Sequence, residues 1–358
     1  MEPLGSHRLP STFLLLGLFG LLGACGPRAA KPVEAVFQGP TMGTGYTVKV
    51  VAGGLEEDRR GELSDLITER LEEVNGKMST YQATSELSRF NAWQSEEPFP
   101  LSELTQEVIE LALEVARSSG GAFDVTVAPL VDAWGFGPSE EPPGGLSDDA
   151  LATLRDRVGF HKLELVPGQG LRKLDQRVTF DLNAIAKGYA VDRVAQALSS
   201  EGFTDFMVEV GGEVRTAGHN LSGAPWRIGI EAPQSGRYAL HSVVSLSGVS
   251  LATSGDYRNY YEVDGKRFSH TIDPRTGRPV EHAGASVSVI AAQCALADAW
   301  ATALLALGPE EGYELALREG LAALFLIYQP DGEVSERATP GFENAGLPSP
   351  QPSGDSRS

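Results

Sequence analysis

Two oxygen-bearing side chains, four residues apart in the sequence, are spaced so that they can bind one ion together. Asp298 and Thr302 lie in the alanine-rich helical run 295–303. Residues four apart on a helix share a face, so a carboxylate and a hydroxyl can converge on one ion. Such hard oxygen ligands suit Mg²⁺, which binds together with waters and substrate phosphates. An exposed helix face, on which Thr302 bonds back to its own turn, explains the same spacing.

A second candidate site is the segment 179–192, in which an apolar strand ends near Asp181 and a helix begins a few residues later. Helix N-termini present unpaired N–H groups and the positive end of the helix dipole, so they bind phosphates. Lys187 adds a positive charge, and its small neighbours leave room for a ligand at the backbone. The segment lacks the glycine spacing of the Walker A and Rossmann motifs. An ordinary turn capped by Asp181 or Asn183, with Lys187 in water, is the open alternative.

The candidate for proton transfer is His270, which precedes a turn sequence at 273–277. An imidazole can take a proton from a hydroxyl near neutral pH. A lone histidine is more often a structural hydrogen-bonding residue, and that interpretation stays open here. Asp256 is an alternative base.

Three glycine-rich stretches are candidates for close approach between backbone and ligand: 42–46, 120–126 and 210–214. Glycine next to a strand marks a turn, a bulge or a point where another group approaches the backbone. In 120–126, backbone donors and the ring of Phe123 could contact a flat ligand. A loop that leads into a buried strand explains the same residues.

The hydrophobic periodicity predicts the strands and helices that must position these residues. Strand patterns occur at 42–51, 178–182, 206–210, 226–230, 242–246, 286–291 and 322–328. Helical patterns occur at 60–77, 101–118, 147–158, 184–198 and 295–307. Ser147 is the predicted N-cap of the third helix. Because strands and helices interleave irregularly and no short repeat is present, we expect an α+β or mixed α/β fold.

The expected domain is a single one, 36–337, made of antiparallel or mixed sheets flanked by helices. No boundary in composition divides it. Residues 338–358 are rich in Pro, Ser and Gly, and are predicted to be a disordered tail.

The N-terminus has the features of an export signal. The apolar run 13–22 is shorter than the about 20 residues needed to span a bilayer. The sequence at 22–25 looks like a bacterial lipobox, whose cysteine is lipidated and becomes the first residue. Residues 1–24 are therefore predicted to be a lipoprotein signal peptide, with Cys25 as the lipidation site and 25–35 as a tether. A plain cleaved signal with an incidental cysteine is the alternative.

Charge and cysteine content exclude two classes of protein. The chain has 29 basic and 48 acidic side chains, a formal net charge of −19, which argues against nucleic-acid binding. The same charge opposes binding of an anionic dinucleotide unless a metal or local cations neutralise its phosphates. If Cys25 carries lipid, Cys294 has no partner within the chain, so a disulfide framework is excluded.

Taken together and in this order, the motifs resemble the ApbE family of FAD:protein FMN transferases. The resemblance runs from about Met42 to Leu307, which is most of the chain after the signal. Each motif is weak alone, and their combination is specific. The matching segments are MGTGYTV, MSTYQATSELSRFN, GAFDVTVAPLVDAWGFGP, DLNAIAKGYAVD, VEVGGEV, PWRIGIEAP, ATSGDYRNYY, FSHTIDPRTGRPV and ADAWATALLALG.

The resemblance implies roles for particular residues. The main-chain oxygen of Ala184, with Asp298 and Thr302, matches the family's Mg²⁺ site. His270 falls where the family has a histidine proposed to assist the attacking hydroxyl. The residues that match positions lining the FAD site are Met42, Tyr81, Ala122, Phe123, Asp124, Asp181, Lys187 and Ile272.

The implied activity is Mg²⁺-dependent transfer of FMN from FAD to a Ser or Thr hydroxyl of another protein, with release of AMP. Mg²⁺ on the FAD phosphates would also offset the negative charge of the chain. The implied acceptors are flavoprotein subunits of sodium-pumping NADH:quinone oxidoreductase, Rnf-type or related redox complexes. The implied location is the bacterial cell envelope, lipid-anchored to a membrane and facing the periplasm. An FAD pyrophosphatase that yields FMN and AMP, and a non-enzymatic FAD-binding lipoprotein, are the alternatives.

Overall fold

The structure is a computed structural model that describes residues 31–137, 146–233, 239–256, 260–263 and 266–345. In these residues the strands are β1 (Val33–Thr41), β2 (Thr44–Ala52), β3 (Leu163–Val166), β4 (Gly170–Lys173), β5 (Phe206–Val210), β6 (Glu213–Ala217), β7 (Trp226–Glu231), β8 (Leu240–Leu246), β9 (Ser250–Gly255), β10 (Tyr260–Val263), β11 (Lys266–Ser269), β12 (Ile272–Asp273), β13 (Arg278–Pro279), β14 (Gly284–Ala291), β15 (Ala322–Tyr328) and β16 (Val334–Ala338). The helices are α1 (Glu57–Met78), α2 (Glu86–Asn91), α3 (Glu103–Ser118), α4 (Ala128–Ala133), α5 (Asp148–Arg155), α6 (Ala186–Ser200), α7 (Cys294–Arg318) and α8 (Pro340–Ala345).

The central sheet has eight strands in the order β1-β2-β5-β6-β9-β14-β15-β16. Every pair of neighbouring strands in it is antiparallel. The other strands pair as β3–β4, β7–β8, β10–β11 and β12–β13. Tyr46 pairs with Val210, which brings the β1–β2 turn and the β5–β6 turn to the same end of the sheet. The architecture confirms the predicted α+β class.

The two faces of the sheet pack against different layers. On one face, side chains such as Val48 and Val289 form a core with α1, α3, α6 and α7. On the other face, Leu324 packs with Trp226 of the β7–β8 hairpin and with Phe342 of α8. Because both faces of β14 and β15 are covered, β15 is continuously apolar, and β14 is buried almost throughout although it includes Ser286 and Ser288.

The predicted helices are all present; α1, α3 and α5 each bury one apolar face, whereas α7 is buried along most of its length. In α1, Leu63, Ile67 and Leu71 recur every four residues and are buried, which is the spacing that predicts a helix. The hydroxyl of Ser147 accepts the N–H of Ala150 at 3.2 Å, so the predicted N-cap of α5 is confirmed. The three helices that the sequence did not predict, α2, α4 and α8, have six residues each, too few to show a period.

Six of the seven predicted strands are present, and the prediction at 178–182 is wrong. Its alternating side chains are buried as in a strand, but none of the strands in the described residues pairs with it. Instead, the Asn91 side chain accepts the N–H of Phe180 at 2.7 Å and donates to its carbonyl oxygen at 2.9 Å. One amide side chain thus replaces a neighbouring strand. The alternating pattern therefore predicted correctly which side chains are buried, but the prediction that the segment pairs with a strand was wrong.

The helix that carries Asp298 and Thr302 is broken after its first half. Gly308 has non-helical angles (φ 81, ψ 175), and the next residue is Pro309. Because Pro309 has no N–H, the carbonyl oxygen of Leu305 lacks its usual helical donor. His282 supplies one, since its Nε2 lies 2.7 Å from that oxygen while its Nδ1 accepts the N–H of Gly284. Both ring nitrogens of His282 are thus used at the break in the helix.

The folded region extends past the predicted boundaries at both ends. β1 begins at Val33, inside the range predicted as a tether, because Ala35 and Phe37 are buried in the core. At the other end, α8 lies inside the predicted tail and buries Phe342. The predicted signal peptide and Cys25 lie outside the described residues. Among the helices of the described part, none has the length and apolar character needed to cross a membrane.

Candidate functional site

A large cavity opens at the end of the sheet where the β1–β2 and β5–β6 turns lie. Its volume is about 1350 Å³. That exceeds the roughly 300–1,000 Å³ typical of pockets for smaller ligands, so a dinucleotide can be accommodated. The predicted site residues in the described part all line this cavity: Met42, Tyr81, Ala122, Phe123, Asp124, Asp181, Ala184, Lys187, His270, Ile272, Asp298 and Thr302. The fold therefore brings together the residues that the motifs singled out from distant stretches of the chain.

Asp298 and Thr302 lie one turn apart on α7 and both face the cavity. Asp298 is only 3% exposed, so the alternative of an exposed helix face is wrong. Burial raises the pKa of Asp298, while the Lys187 ammonium and the Gly188 N–H oppose the rise. The Thr302 hydroxyl lies 3.0 Å from the Ser254 hydroxyl, a contact that fixes its orientation.

The donors around Asp298 fit Mg²⁺ rather than a metal that prefers nitrogen or sulfur. Within the described residues, no group of three or more His, Cys, Asp or Glu side chains is arranged around a common ion. The Asp298 carboxylate, the Thr302 hydroxyl and the Ala184 carbonyl are hard oxygen donors, the kind that Mg²⁺ prefers in proteins. In a regular helix the Gly188 N–H would bond to Ala184; here it donates to Asp298 Oδ2 at 3.1 Å. The Ala184 carbonyl is thus not used by α6.

Helices α6 and α7 cap each other where they cross. Asp298 of α7 accepts the Gly188 N–H of α6, and Asp192 of α6 accepts the Ala295 N–H of α7 at 2.9 Å. The crossing is close because residue 188 is glycine: a Cβ there would lie 2.4 Å from the Cys294 carbonyl oxygen. Neither Asp181 nor Asn183 caps α6, which begins at Ala186, two residues later than predicted. Asp298 consequently sits at the positive end of the α6 dipole.

Lys187 pairs with two buried carboxylates, while 30% of its own side chain is exposed at the cavity. Its Nζ lies 2.7 Å from Glu213 Oε1 and 3.8 Å from Asp298 Oδ2. Burial alone would lower the pKa of Lys187, but the two carboxylates raise it above its ordinary value, so the ammonium is charged at neutral pH. Burial likewise raises the pKa of Glu213, against the opposing effect of Lys187.

Asp181 forms part of the cavity wall and organises the turn before α6. Its Oδ1 accepts the N–H of Asn183 at 2.7 Å, and its Oδ2 accepts from the Asn183 side-chain amide at 3.2 Å. Burial raises the pKa of Asp181, and the Asp132 carboxylate adds to the rise. The side chain therefore makes a local turn and presents a carboxyl group at the ligand cavity.

The stretch 120–126 shapes the cavity wall, and the backbone donors of its first four residues are used within the fold. The N–H groups of 120–123 all donate to the C-terminal end of α3, and the Phe123 ring is 3% exposed. The Asp124 carboxylate accepts the N–H of Thr126 at 2.8 Å and that of Phe160 at 2.7 Å. Burial raises the pKa of Asp124, and these bonds oppose the rise. Asp124 thus holds two loops together behind the wall.

His270 lies between β11 and β12, half-buried in the cavity wall. Its ring meets the Phe136 ring edge-on, with centroids 6.3 Å apart. The turn that follows is anchored by Trp134, whose Nε1–H donates to the Gly277 carbonyl oxygen at 2.8 Å. Asp256, the alternative base, is buried and is not among the described residues that line the cavity. Aromatic packing therefore orients the one predicted base that reaches the cavity.

Met42 and Tyr81 lie at the rim. Met42 occupies the β1–β2 turn with a positive φ of 47°, followed by Gly43 at 73°. This pair of angles is that of a type I′ turn, in which a side chain other than Asn or Gly is unfavourable. Tyr81 is 68% exposed, so its ring is available at the cavity mouth.

Known proteins share both the sequence and the shape of this chain. The model of the ApbE family matches residues 42–325. The chain belongs to the ApbE family. An FAD:protein FMN transferase of Vibrio cholerae is 42% identical over 331 residues, covering 92% of this chain and 97% of that protein. One from Escherichia coli K12 is 40% identical over 299 residues, covering 83% and 85%. The solved structure of the flavin transferase ApbE from Vibrio cholerae has a TM-score of 0.80 and 40% identity, covering 88% of this chain and 99% of that one.

The ApbE match confirms the family that the motifs predicted, and it spans the predicted residues that line the cavity. Sequence reasoning missed three residues of this ApbE cavity and its surroundings. Glu213, Asp192 and Ser254 lay inside quoted motifs without a role. An acidic residue directly after a Gly-Gly turn, as at Glu213, was the one signal available, because glycine pairs mark close approach.

Proposed function

We propose that this protein transfers FMN from FAD to a Ser or Thr hydroxyl of an acceptor protein and releases AMP. Family membership and the flavin-transferase names of its relatives support the transferase class. The observation that carries the proposal is the content of one cavity. The oxygen pair Asp298 and Thr302, the N-terminus of α6 and His270 all line a space that accommodates a dinucleotide.

The proposed metal is Mg²⁺, held by Asp298, Thr302 and the carbonyl oxygen of Ala184. The hard oxygen character of these donors supports that assignment. The chemistry that Mg²⁺ supplies when bound to a diphosphate is neutralisation of charge on the leaving group. In this acidic protein, the Lys187 ammonium and the positive end of the α6 dipole contribute further positive potential.

The proposed reaction is a displacement at phosphorus. The acceptor hydroxyl oxygen bonds to the FMN-side phosphorus, the bond from that phosphorus to the bridging oxygen breaks, and AMP leaves with that oxygen. The hydroxyl proton passes to His270. The packing of His270 against Phe136 supports this role, because it fixes the ring at the cavity wall. Met42, Tyr81, Ala122, Phe123, Asp124, Asp181, Lys187 and Ile272 are the proposed FAD-site residues.

The proposed setting is the cell envelope, with Cys25 lipidated and the domain facing the periplasm. Proposed acceptors are flavoprotein subunits of sodium-pumping NADH:quinone oxidoreductase, Rnf-type or related redox complexes. Family resemblance and the signal-like sequence at 13–25 support both statements. Incubation with a series of such subunits tests the acceptor assignment, and absence of flavin on all of them would reject it.

The deciding experiment uses the protein without residues 1–25, FAD, Mg²⁺ and an acceptor domain, with mass spectrometry of the acceptor. We expect a mass gain of one FMN, equimolar AMP, and loss of both in EDTA. Asp298→Asn is the matched variant, because the amide oxygen can still accept the Gly188 N–H while the metal-binding charge is gone. FMN and AMP free in solution would indicate an FAD pyrophosphatase. Intact FAD with every acceptor would leave a flavin-binding protein.

A further inference from the structure

Lys187 lies close to Asp298, whose carboxylate is a proposed ligand of the divalent cation. Its Nζ is 3.8 Å from Asp298 Oδ2, slightly beyond direct hydrogen-bond distance, and 2.7 Å from Glu213 Oε1. An ammonium in direct contact with Asp298 would neutralise that carboxylate and compete with any metal for it. Which carboxylate holds Lys187 therefore decides whether Asp298 is available.

Glu213 is built into the fold in a way that fixes this choice. It is 4% exposed and is the first residue of β6, directly after the Gly211–Gly212 turn. That turn lies against the lysine stem, since a Cβ on Gly211 would be 3.4 Å from Lys187 Cδ. The second oxygen, Oε2, is buried and has no hydrogen-bond partner within the described residues. A buried carboxylate with one oxygen unbonded lowers the stability of the fold. We therefore expect Glu213 to have a role other than stabilisation.

We propose that Glu213 is a positioning residue that holds Lys187 away from Asp298 and so keeps Asp298 open to a divalent cation. The inference rests on the proposed metal site and deepens it. It assigns Lys187 as an internal competitor of the metal and Glu213 as the group that restrains it.

The charges of the cluster give the direction of the effect. Two carboxylates and one ammonium leave a net charge of −1, which attracts a divalent cation. Without the Glu213 charge, Lys187 and Asp298 form a neutral pair, and cation binding must break it. Without both the Glu213 and the Lys187 charges, Asp298 is again a free carboxylate, so cation affinity returns.

The test measures binding of Mn²⁺, used as the probe for Mg²⁺, by the EPR signal of the free ion, with neither FAD nor acceptor present. We expect Glu213→Gln to weaken Mn²⁺ binding about tenfold or more, because the ammonium then competes at short range. Lys187→Met should bind at least as tightly as the unmodified protein. The double variant Glu213→Gln/Lys187→Met should return to within about threefold of it, a rescue that a merely structural role of Glu213 would not produce.

Glu209→Gln is the matched control. Glu209 also lines the cavity, carries the same charge and accepts the Gly212 N–H at 2.8 Å, a bond that glutamine can keep. We expect its Mn²⁺ affinity to change less than about twofold. Equal weakening of Mn²⁺ binding by Glu209→Gln would mean that the change in net charge alone explains the effect, and would overturn the proposal. So would unchanged binding in Glu213→Gln, or a double variant as weak as the single one.

The proposed function fails in a different way. If Mn²⁺ binding follows the expected order but no FMN reaches any acceptor, the positioning role stands and the transferase assignment falls. If the unmodified protein transfers FMN and Glu213→Gln binds Mn²⁺ normally, the positioning role falls and the transferase stands. Circular dichroism and thermal melting confirm that each variant is folded before binding is compared.

Discussion

His270 is the residue whose role depends most on its surroundings. Residue type alone identified it only as a lone histidine, and the family resemblance suggested its role; the structure places it in the cavity wall against Phe136. We expect His270→Ala to slow FMN transfer by about 10²–10⁴-fold, the usual contribution of a general base. FAD affinity, measured by flavin fluorescence, should change little. His219→Ala is the control, because His219 is exposed and is not among the described residues lining the cavity. Equal rates for both variants would reject His270 as the base.

Met42 has a left-handed backbone conformation, which Asn or Gly adopts more readily than Met. A non-glycine residue in the left-handed region costs about 1–2 kcal/mol, and Asn-Gly is the preferred sequence of a type I′ turn. We expect Met42→Asn to raise the free energy of unfolding by about 0.5–1 kcal/mol and to weaken FAD binding, because the lost side chain lines the cavity. Denaturant unfolding and flavin titration measure the two effects. Reduced stability with unchanged affinity would show that the methionine serves the fold.

At the scale of single residues, side-chain chemistry was predictable and its partners were not. Asp298, Thr302 and His270 carry groups whose reactivity is known from their type alone. The sequence does not show that Asn91 bonds the backbone of Phe180, or that Asp124 accepts hydrogen bonds from Thr126 and Phe160. Such contacts join residues far apart in the chain, and one sequence contains no record of them.

Among the secondary-structure elements, the junction of α1, α2 and α3 depends on the buried carboxylate of Glu86. It accepts from Lys77 at 2.9 Å and from the Ser102 N–H at 2.7 Å. Burial alone would raise the pKa of Glu86, but these donors lower it below the ordinary value of 4.5. The resulting stabilisation is fully present above pH 4.5 and is lost as the pH falls through the lower folded-state pKa.

We therefore expect Glu86→Gln to lower the free energy of unfolding by about 2 kcal/mol at neutral pH, with the deficit shrinking below about pH 4.5. Urea unfolding at several pH values measures this difference. Glu96→Gln is the control, because Glu96 is exposed. A deficit that stays constant down to the lowest pH would show that the ionised carboxylate contributes nothing to the junction.

The crossing of α6 and α7 depends on the absence of a side chain at Gly188. A Cβ there would lie 2.4 Å from the Cys294 carbonyl oxygen and 2.9 Å from the Ala295 Cα. We expect Gly188→Ala to destabilise the fold by about 1–3 kcal/mol, since backbone must move, and to weaken cation binding by displacing Asp298. Gly76→Ala in α1 meets nothing within 4 Å and should stabilise by about 0.5–1 kcal/mol. Matching behaviour of the two variants would contradict the close crossing.

For the molecule as a whole, the fold class followed from the pattern of elements, whereas the strand order did not. Strands β6 and β9 are neighbours although β7 and β8 intervene in the chain, because the β7–β8 hairpin folds onto the opposite face. The period of the hydrophobic residues shows that a strand is buried, but it does not show which strand is its neighbour in the sheet. The cavity could not be predicted from the pattern for the same reason, because it lies where strands that are not consecutive in the chain end side by side.

Attachment to a membrane would also be a property of the whole molecule. If Cys25 carries lipid, Cys25→Ser should move the protein from the membrane fraction to the soluble fraction without changing its melting temperature, because the described fold begins after that residue. Fractionation of cells that express each form, followed by immunoblotting, measures the shift. Membrane association that survives the substitution would refute lipidation as the anchor.

The β1–β2 hairpin sets how far from a membrane such a protein can work. Its turn, at Met42, is at the cavity, and its first strand starts at Val33 on the far side of the domain. Nine strand residues span about 30 Å, and the eight steps from Cys25 to Val33 reach at most about 28 Å. An anchored molecule could therefore modify only hydroxyls within roughly 60 Å of its lipid. Hydroxyls on proteins embedded in the same membrane are confined to that layer, whereas those on freely diffusing proteins enter it only for part of the time.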